Sequence, residues 1–176
     1  MNLEHAALLE IDLQKGTRAL FKTAIPHDWE TLVANNKALI EAFVAQNLPA
    51  YQIHVHLPKL LAGVAKKFPE LIFRDDRAID LEKHGPSVIT QANEDLVAAL
   101  KAKGVDTVVV AGVSTNNGVI KTARDAKKEG FTIIVVEDAC AGRDLKGHEA
   151  AIQEARELGE VVTTSELLQK LESNRG

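Results

Sequence analysis

Short runs of aliphatic residues alternate along this chain with longer segments of helical periodicity. The clearest run is Thr-Val-Val-Val-Ala-Gly at positions 107–112, and a helical segment follows it directly. Strands buried on both faces of a parallel sheet have continuous aliphatic sequences of this kind, and helices connect them. Six runs predict six strands, at positions 6–12, 50–57, 86–90, 107–112, 132–137 and 161–163.

The segments between these runs predict helices that cover both faces of the sheet. They lie at 28–46, 59–68, 93–103, 116–129, 147–158 and up to about 173, with Asp28 and Ser165 as the N-caps of the first and the last. The charged segment 70–85 has no clear period, and we interpret it as a loop over the site. The pattern predicts one domain, residues 1–176, with a three-layer α/β/α fold around an open, mostly parallel, six-stranded sheet of Rossmann-like order.

The composition argues against several classes of partner. The formal net charge of −4 disfavours a nucleic-acid or anionic-membrane surface, since those partners favour clustered lysine and arginine. Aromatic residues make up only 4% of the chain, which suits base-stacking platforms poorly. The single cysteine, Cys140, permits no internal disulfide, and the first residues lack the pattern of a secretion signal. We expect a cytoplasmic protein that acts on a small molecule without a cofactor.

The end of the first predicted strand carries an acid, Asp12. Ligands of open parallel sheets bind beyond the carboxyl ends of the strands, where the strand order reverses. Burial at that edge raises the pKa of a carboxyl group and can prepare it for acid or base catalysis. Position alone favours the simpler interpretation that Asp12 caps the following turn.

A glycine-rich turn joins the strand at 107–112 to its helix. Its sequence is Gly-Val-Ser-Thr-Asn-Asn-Gly at 112–118, and backbone amides at a helix N-terminus suit an anion or a developing oxyanion. Alternatively, the side chains of Ser114, Thr115 or Asn116 only cap the first helical turn. The spacing does not match the dinucleotide-binding fingerprint. The candidate substrate-binding residues of this turn are Val113, Ser114 and Asn117.

Two histidines, His54 and His56, alternate on the second predicted strand and therefore face the same side of the sheet. This spacing can bind a metal ion, but the sequence shows no third ligand, although Asp12 could approach from a neighbouring strand. We predict no metal site, and we expect His56 to line the cleft while the other ring is hydrogen-bonded in the interior.

Three segments resemble the isochorismatase-like hydrolases. Leu-Leu-Glu-Ile-Asp-Leu-Gln at 8–14 is similar to the family's strand that ends in Asp-x-Gln. Residues 100–116 are similar to its core of Gly-Ile-Asp, a strand and Gly-x-x-Thr-Asn. Asp-Ala-Cys-Ala at 138–141, followed by His148 and Ala151, is similar to its Asp-Ala-Cys-Ala and His-x-x-Ala stretch. The order and spacing fit over almost the whole chain, so the resemblance implies that family's fold.

The resemblance also implies a catalytic site. Amidase members use an Asp, a Lys and a Cys, and their Asp corresponds to Asp12. The nucleophilic cysteine should follow Asn117, where this chain has Gly118. The lysine should follow a Val-Ile-Thr pattern, where this chain has Gln91. On this alignment two members of the triad are replaced, and the predicted catalytic positions are Asp12, Gln91 and Gly118.

These replacements point away from amide hydrolysis, because no thiol at position 118 can form an acyl-enzyme. Isochorismatase-type members, by resemblance, lack the cysteine and cleave a vinyl ether without a covalent intermediate. In that chemistry an Asp delivers a proton to a substrate carbon and water attacks the resulting cation. Lys83 or Lys15 would have to supply the missing charge. The resemblance further implies a cis peptide bond between Val113 and Ser114, and a homo-oligomer, either a dimer or a tetramer.

Three functions are compatible with the sequence. The first is non-covalent hydrolysis of a small metabolite, with Asp12 as acid and base, and with Gln91 and the amides of 113–118 polarising the substrate. The second is a catalytically inactive relative that keeps the pocket as a small-molecule-binding or assembly module. The third is a hydrolase with rebuilt chemistry that uses His56 or a loop lysine.

Overall fold

A parallel sheet forms the centre of the protein. The computed structural model describes residues 2–56 and 68–173. Its sheet has the order β3-β2-β1-β4-β5-β6, and each neighbouring pair is parallel. The strands are β1 (Ala6–Ile11), β2 (Ala50–Val55), β3 (Ile79–Lys83), β4 (Thr107–Val113), β5 (Thr132–Ala141) and β6 (Glu160–Val162). The predicted α/β class with an open six-stranded sheet is confirmed.

Helices cover both faces of this sheet. They are α1 (Lys15–Leu20), α2 (Trp29–Ala45), α3 (Val88–Gln91), α4 (Leu96–Ala102), α5 (Ile120–Lys128), α6 (Leu145–Leu158) and α7 (Thr164–Ser173). A π-helical turn, Thr115–Val119, leads directly into α5. Asp28 caps α2 as predicted, because its Oδ1 accepts from Thr31 N at 2.8 Å.

Side chains of alternating strand positions build the two halves of the core. Ala7, Leu9 and Ile11 of β1 pack with the buried faces of α3, α4, α5 and α6. Ala6 and Leu8 pack instead with α2 and α7. This alternation is the two-residue period of a strand that is buried on both sides.

Glu10 interrupts the aliphatic sequence of β1. Burial raises the pKa of its carboxyl group to about 8, although a hydrogen bond from Gln52 opposes the shift. The carboxyl group is therefore neutral at pH 7. Gln52 Nε2 lies 3.0 Å from Glu10 Oε2, and its Oε1 accepts from Asp75 N at 2.9 Å. The pair thus ties β1 and β2 to the segment that precedes β3.

Two predictions for the segment 70–91 are wrong. The proposed strand at 86–90 is the one-turn helix α3, whose Val88 and Ile89 are buried in the core. The third strand is β3, inside the segment that we interpreted as a loop. Its sequence Ile-Asp-Leu-Glu-Lys alternates as an edge strand does, with Leu81 and Lys83 buried. The charges at the alternate positions hid this period in the sequence.

Two further helix predictions concern the segment 59–68 and the N-cap of the last helix. The predicted helix at 59–68 falls almost wholly outside the described residues. The last helix is capped by Thr163 and not by Ser165: Glu166 Oε2 accepts from Thr163 N at 2.7 Å, and Glu166 N donates to Thr163 Oγ1 at 3.3 Å. This reciprocal pair is a capping box shifted two residues toward the N-terminus.

The strand order reverses between β1 and β4. After β1 the chain adds β2 and β3 on one side, and it then returns to place β4 on the other side. In sheets of this type the crevice at the reversal lies outside the carboxyl ends of the two central strands. Asp12 directly follows β1, and the π-helical turn follows β4 after a single residue. The predicted site residues of these two segments therefore meet at one edge.

Gly112 permits the close approach of β1 and β4 at this edge. Its φ is +109°, and a Cβ at this position would overlap the carbonyl oxygen of Ile11, its partner in the sheet. The register between β4 and β5 also shifts between Val110 and Gly112. Only glycine fits this backbone position.

We predict that Gly112→Ala destabilises the protein much more than Gly104→Ala does. Gly104 also has a positive φ, +71°, but a Cβ there meets no atom within 4 Å. Alanine should therefore cost ~1 kcal/mol at 104 from backbone conformation alone, and more than ~3 kcal/mol at 112, where the strands must also separate. Urea denaturation of both variants measures this difference. Equal losses of unfolding free energy in the two variants would show that β1 and β4 are not closely packed at Gly112.

Candidate active site

Asp12 adopts a left-handed backbone conformation immediately after β1. Its φ is +52°, which is uncommon for a residue other than glycine but tolerated by aspartate. Asp12 N donates to Ile53 O at 2.9 Å, and Gln14 N donates to Asp12 O at 2.8 Å. These bonds hold a tight turn against β2. The turn leaves only 13% of the Asp12 side chain exposed, so its carboxylate does not point into solvent.

Lys83 supplies the cation of the site. It is the last residue of β3, its side chain is 1% exposed, and its Nζ lies 2.8 Å from Asp12 Oδ2. The same Nζ donates to Pro86 O at 2.9 Å, just before α3. Lysine is almost never fully buried unless it is paired. Lys83 therefore crosses β2 to meet Asp12, and the two charges account for each other's burial.

Burial and Lys83 act on the Asp12 carboxyl group in opposite directions. Burial raises its pKa and the positive charge of Lys83 lowers it, and the net pKa is about 6. Asp12 Oδ2 is engaged by Lys83, whereas Oδ1 is buried and accepts no hydrogen bond from any described residue. Oδ1 is therefore the oxygen of Asp12 that is free to carry the proton of the neutral form.

Gly118 faces this pair from the π-helical turn. A Cβ built on Gly118 would lie 3.6 Å from Asp12 Oδ2, 3.4 Å from Val113 O and 2.9 Å from Ile11 Cγ2. A side chain at 118 would therefore stand beside Asp12, where the resemblance implies the nucleophile. The protein instead has a buried glycine there, so no side chain stands beside Asp12 at this position.

Fewer backbone amides of the glycine-rich turn are free to bind an anion than the sequence predicted. Asn117 N and Val119 N both donate to Ser114 O, at 3.0 and 3.2 Å, so these two amides are used within the turn. The bond between Val113 and Ser114 is cis, as the resemblance implied. The Val113 side chain is buried in the core, so only its backbone can face the crevice. Ser114 is half-buried and makes no capping hydrogen bond, and Asn117 is exposed.

Gln91 does not lie in the place of the family lysine. Its Oε1 accepts from Ser87 N at 3.1 Å, and its backbone O accepts from His84 N at 2.9 Å. Gly85 packs so closely on the Gln91 amide that a Cβ at 85 would overlap it. Gln91 thus closes the turn between β3 and α3. The prediction that Gln91 replaces the lysine is wrong because β3 ends eight residues earlier, at Lys83.

Of the two lysines considered as substitutes, Lys83 lies at Asp12 and Lys15 does not. Lys15 Nζ pairs with Glu70 Oε2 at 2.6 Å, and both side chains are about half-exposed. The structure therefore places a lysine beside Asp12, and of the three positions that the resemblance implies only 118 then differs in residue type. A strand assignment at 79–83 from the Ile-Asp-Leu-Glu-Lys alternation would have found Lys83.

A second cluster lies on the other face of β2 and β3. The rings of His54 and His56 have centroids 5.7 Å apart, which confirms that they share one side of the strand. His56 Nδ1 lies 3.3 Å from Glu82 Oε2, and His54 Nδ1 lies 3.4 Å from Asp80 Oδ1. His56 is half-exposed and its ring turns toward Glu82, the neighbour of Lys83 that points to the opposite face of β3.

These residues could hold a metal ion. Ligand atoms of His54, His56 and Glu82 all lie within 4.8 Å of one another, and two imidazoles with a carboxylate suit a divalent transition metal. The sequence alone does not reveal the third ligand, because the charged residues of β3 conceal its strand period. The expectation of no metal stays a prediction.

Cys140 is separate from this chemistry. The side chain is fully buried, and burial raises the pKa of its thiol far above the usual range. A thiol that cannot ionise is not a nucleophile. Asp138 has a structural contact, because its Oδ1 accepts from Thr164 N and Thr164 Oγ1, each at 2.7 Å.

Sequence comparison identifies the family of this chain. The family model of the isochorismatase domain matches residues 6–166. The chain belongs to the isochorismatase family. YecD, an uncharacterized isochorismatase family protein of Escherichia coli O157:H7, is 29% identical over 167 residues, covering 86% of this chain and 88% of the relative. Maleamate amidohydrolase of Pseudomonas putida is 40% identical over 77 residues, covering 43% of this chain and 36% of that protein.

Solved structures share the isochorismatase fold. An isochorismatase family protein from Burkholderia thailandensis has a TM-score of 0.86 at 25% identity, covering 98% of this chain and 97% of that one. The YcaC gene product of Escherichia coli, an octameric hydrolase of unknown specificity, has a TM-score of 0.75 at 24% identity, covering 98% and 82%. No helix within the described ranges is long and apolar enough to cross a membrane.

We predict that Asp12 and Lys83 are strongly coupled in stability. Asp12→Asn leaves the Lys83 ammonium buried without an anion, and Lys83→Met leaves the carboxylate without a cation. Each single change should cost ~3–5 kcal/mol of unfolding free energy, and the double change should cost much less than their sum. Chemical denaturation of the four proteins measures the coupling.

Lys15→Met is the matched control, because it removes a lysine from an exposed pair. Its effect should stay below ~1 kcal/mol. If the costs of Asp12→Asn and Lys83→Met simply add, the ion pair is not the energetic unit that its geometry indicates.

Proposed function

We propose that this isochorismatase-family protein hydrolyses a small metabolite by acid/base chemistry without a covalent intermediate. The observation that carries the proposal is the buried Asp12–Lys83 pair with Gly118 facing it. The ion pair supports a role for Asp12 as an acid with Lys83 as its counter-ion, and the residue at the nucleophile position that the resemblance implies is a glycine. The substrate class that suits this arrangement best is a vinyl ether.

The absence of a thiol directs the proposal away from amide hydrolysis. Acyl transfer of the amidase type needs a nucleophile with an accessible thiolate or an adjacent base. The only cysteine of the chain is Cys140, whose thiol is buried and whose pKa is raised. Maleamate amidohydrolase is similar over less than half of this chain, so its activity is not carried over.

Asp12 would act first as an acid. Its neutral carboxyl group donates a proton from Oδ1 to the terminal carbon of the substrate's vinyl group. The π electrons of that double bond form the new C–H bond, and the neighbouring carbon becomes an oxocarbenium ion. Water attacks this cation, and the Asp12 carboxylate accepts the proton that the water loses. The hemiketal that results breaks down to a ketone and an alcohol, and Asp12 is again neutral.

Lys83 would stabilise the charged half of this cycle. When Asp12 is ionised, Lys83 Nζ at 2.8 Å from Oδ2 compensates the buried carboxylate. A pKa of about 6 lets Asp12 exist in both forms near neutral pH, which a general acid that is regenerated in each turnover requires. Lys83 therefore sets the proton affinity of Asp12 and leaves Oδ1 for the substrate.

The experiment is a hydrolase screen with small vinyl ethers and primary amides as two substrate sets. The wild type should turn over a vinyl ether, and Asp12→Asn should lower its rate ~10²- to 10⁴-fold because the proton donor is lost. Lys15→Met should leave the rate unchanged. Activity that survives in Asp12→Asn would remove Asp12 from the mechanism. A wild type that binds panel compounds without turnover would favour the alternative, an inactive small-molecule-binding module.

The pH dependence of the rate tests the same acid in a second way. Since the neutral form of Asp12 is the proton donor and its pKa is raised to about 6, kcat/KM should fall tenfold per pH unit above about 6. Lys83 lowers this pKa, so in Lys83→Met the fall should begin at higher pH. If the fall in kcat/KM begins near the ordinary pKa of aspartate, or if Lys83→Met does not move it, Asp12 is not the proton donor.

We also propose a homo-oligomer. The YcaC hydrolase that shares this fold is an octamer. Light scattering of the purified protein should give a mass above the 19.1 kDa of one chain, and a monomer at micromolar concentration would contradict the proposal.

A further inference from the structure

One motif of the sequence takes no part in the proposed chemistry: the stretch Gly147-His148-Glu149-Ala150-Ala151 at the start of α6. His148 is 6% exposed, and its Nδ1 lies 2.9 Å from Thr115 Oγ1, which is itself buried. Thr115 is the first residue of the π-helical turn that carries Gly118. A side chain of α6 therefore contacts the π-helical turn at its first residue.

A second contact joins the same two elements. The Asn116 side chain lies against Gly147 and Gly142: a Cβ on Gly147 would come within 2.6 Å of Asn116 Nδ2, and one on Gly142 within 3.6 Å of Asn116 Oδ1. Two consecutive residues of the turn are thus docked on the first turn of α6 and the segment before it. Asp144 fixes that end of α6, because its Oδ1 accepts from Gly147 N at 2.7 Å.

The other side of the turn faces the acid. Position 118 stands 3.6 Å from Asp12 Oδ2, measured from the Cβ that the glycine lacks. Thr115 and Gly118 are one turn apart, so a displacement at Thr115 moves Gly118 with it. Errors of about 1 Å in the placement of reacting groups can cost about a hundredfold in rate.

We propose that His148 is a positioning residue of the active site: through Thr115 it sets the distance between the glycine-bearing turn and Asp12. Its predicted effect on the reaction rate rests on the proposed function. Its predicted effect on the position of the turn does not, because that position can be measured without a substrate. His148 touches no reacting atom. Burial and the nearby His27 lower its pKa, so the ring is neutral at pH 7 and one ring nitrogen can accept a hydrogen bond.

The test compares side chains that keep or lose this hydrogen bond. His148→Asn retains a polar atom close to the position of Nδ1, and His148→Leu does not. Thr115→Ser retains the hydroxyl group, and Thr115→Val removes it with little change in shape. Thr122→Val is the matched control, because Thr122 is also fully buried and its hydroxyl accepts from Val88 N, away from α6.

Two readouts report on position without any substrate. The amide resonances of Thr115–Val119 in ¹H–¹⁵N spectra report the turn, and a ¹³C titration of the Asp12 carboxyl carbon reports its surroundings. His148→Leu and Thr115→Val should shift both, the double variant should add nothing further, and the Asn and Ser variants should stay near the wild type. Thr122→Val should leave the Gly118 amide and the Asp12 titration unchanged.

If a substrate is found, His148→Leu and Thr115→Val should each lower kcat ~10- to 100-fold with little change in KM. Unchanged Gly118 and Asp12 signals in folded Thr115→Val would overturn the proposal, and so would equal changes in Thr122→Val. Failure of the hydrolase screen alone would count against the proposed function and leave the spectroscopic result to decide the position of the turn.

Discussion

A buried lysine that meets a buried aspartate is the interaction on which the arrangement of this site depends. Lys83 is 1% exposed and has two oxygen partners, Asp12 Oδ2 and Pro86 O. Without an anion, an ammonium group in this position would cost several kcal/mol. Lys83 reaches Asp12 from the end of β3, and its second partner, Pro86 O, lies just before α3. Asp12 has a left-handed backbone conformation, and its carboxylate is buried against Lys83.

The strand order gives this pair its place in the protein. Because the order reverses between β1 and β4, the turn that approaches Asp12 comes from β4, whereas Lys83 reaches it from β3. Two glycines make the approach possible: Gly112 lets the strands come together, and Gly118 places no side chain between the turn and Asp12. The His54, His56 and Glu82 cluster lies on the other face of β2 and β3, so the same strands present two chemically different groups of side chains.

The sequence was sufficient to predict those parts of the fold and site that have one clear pattern of residues. The aliphatic run at 107–112 and the acid at the end of the first strand predicted the sheet and the position of Asp12. Lys83 was named as a substitute but not placed, because Asp80 and Glu82 make β3 look like a charged loop. The β-branched residues Val88, Ile89 and Thr90 suggested a strand, yet tertiary packing makes them a single helical turn. The cluster of Glu82 with His54 and His56 could not be predicted for the same reason, because Glu82 lies on β3.

The most direct test of this account is the titration of the Asp12 carboxyl carbon in the wild-type protein by ¹³C NMR. A carboxyl group that is buried and held by a single lysine should titrate with a pKa of about 6, and its two forms should be those that the proposed proton transfer requires. A pKa near 4, the value of an exposed aspartate, would mean that water reaches the carboxylate and that the buried acid does not exist.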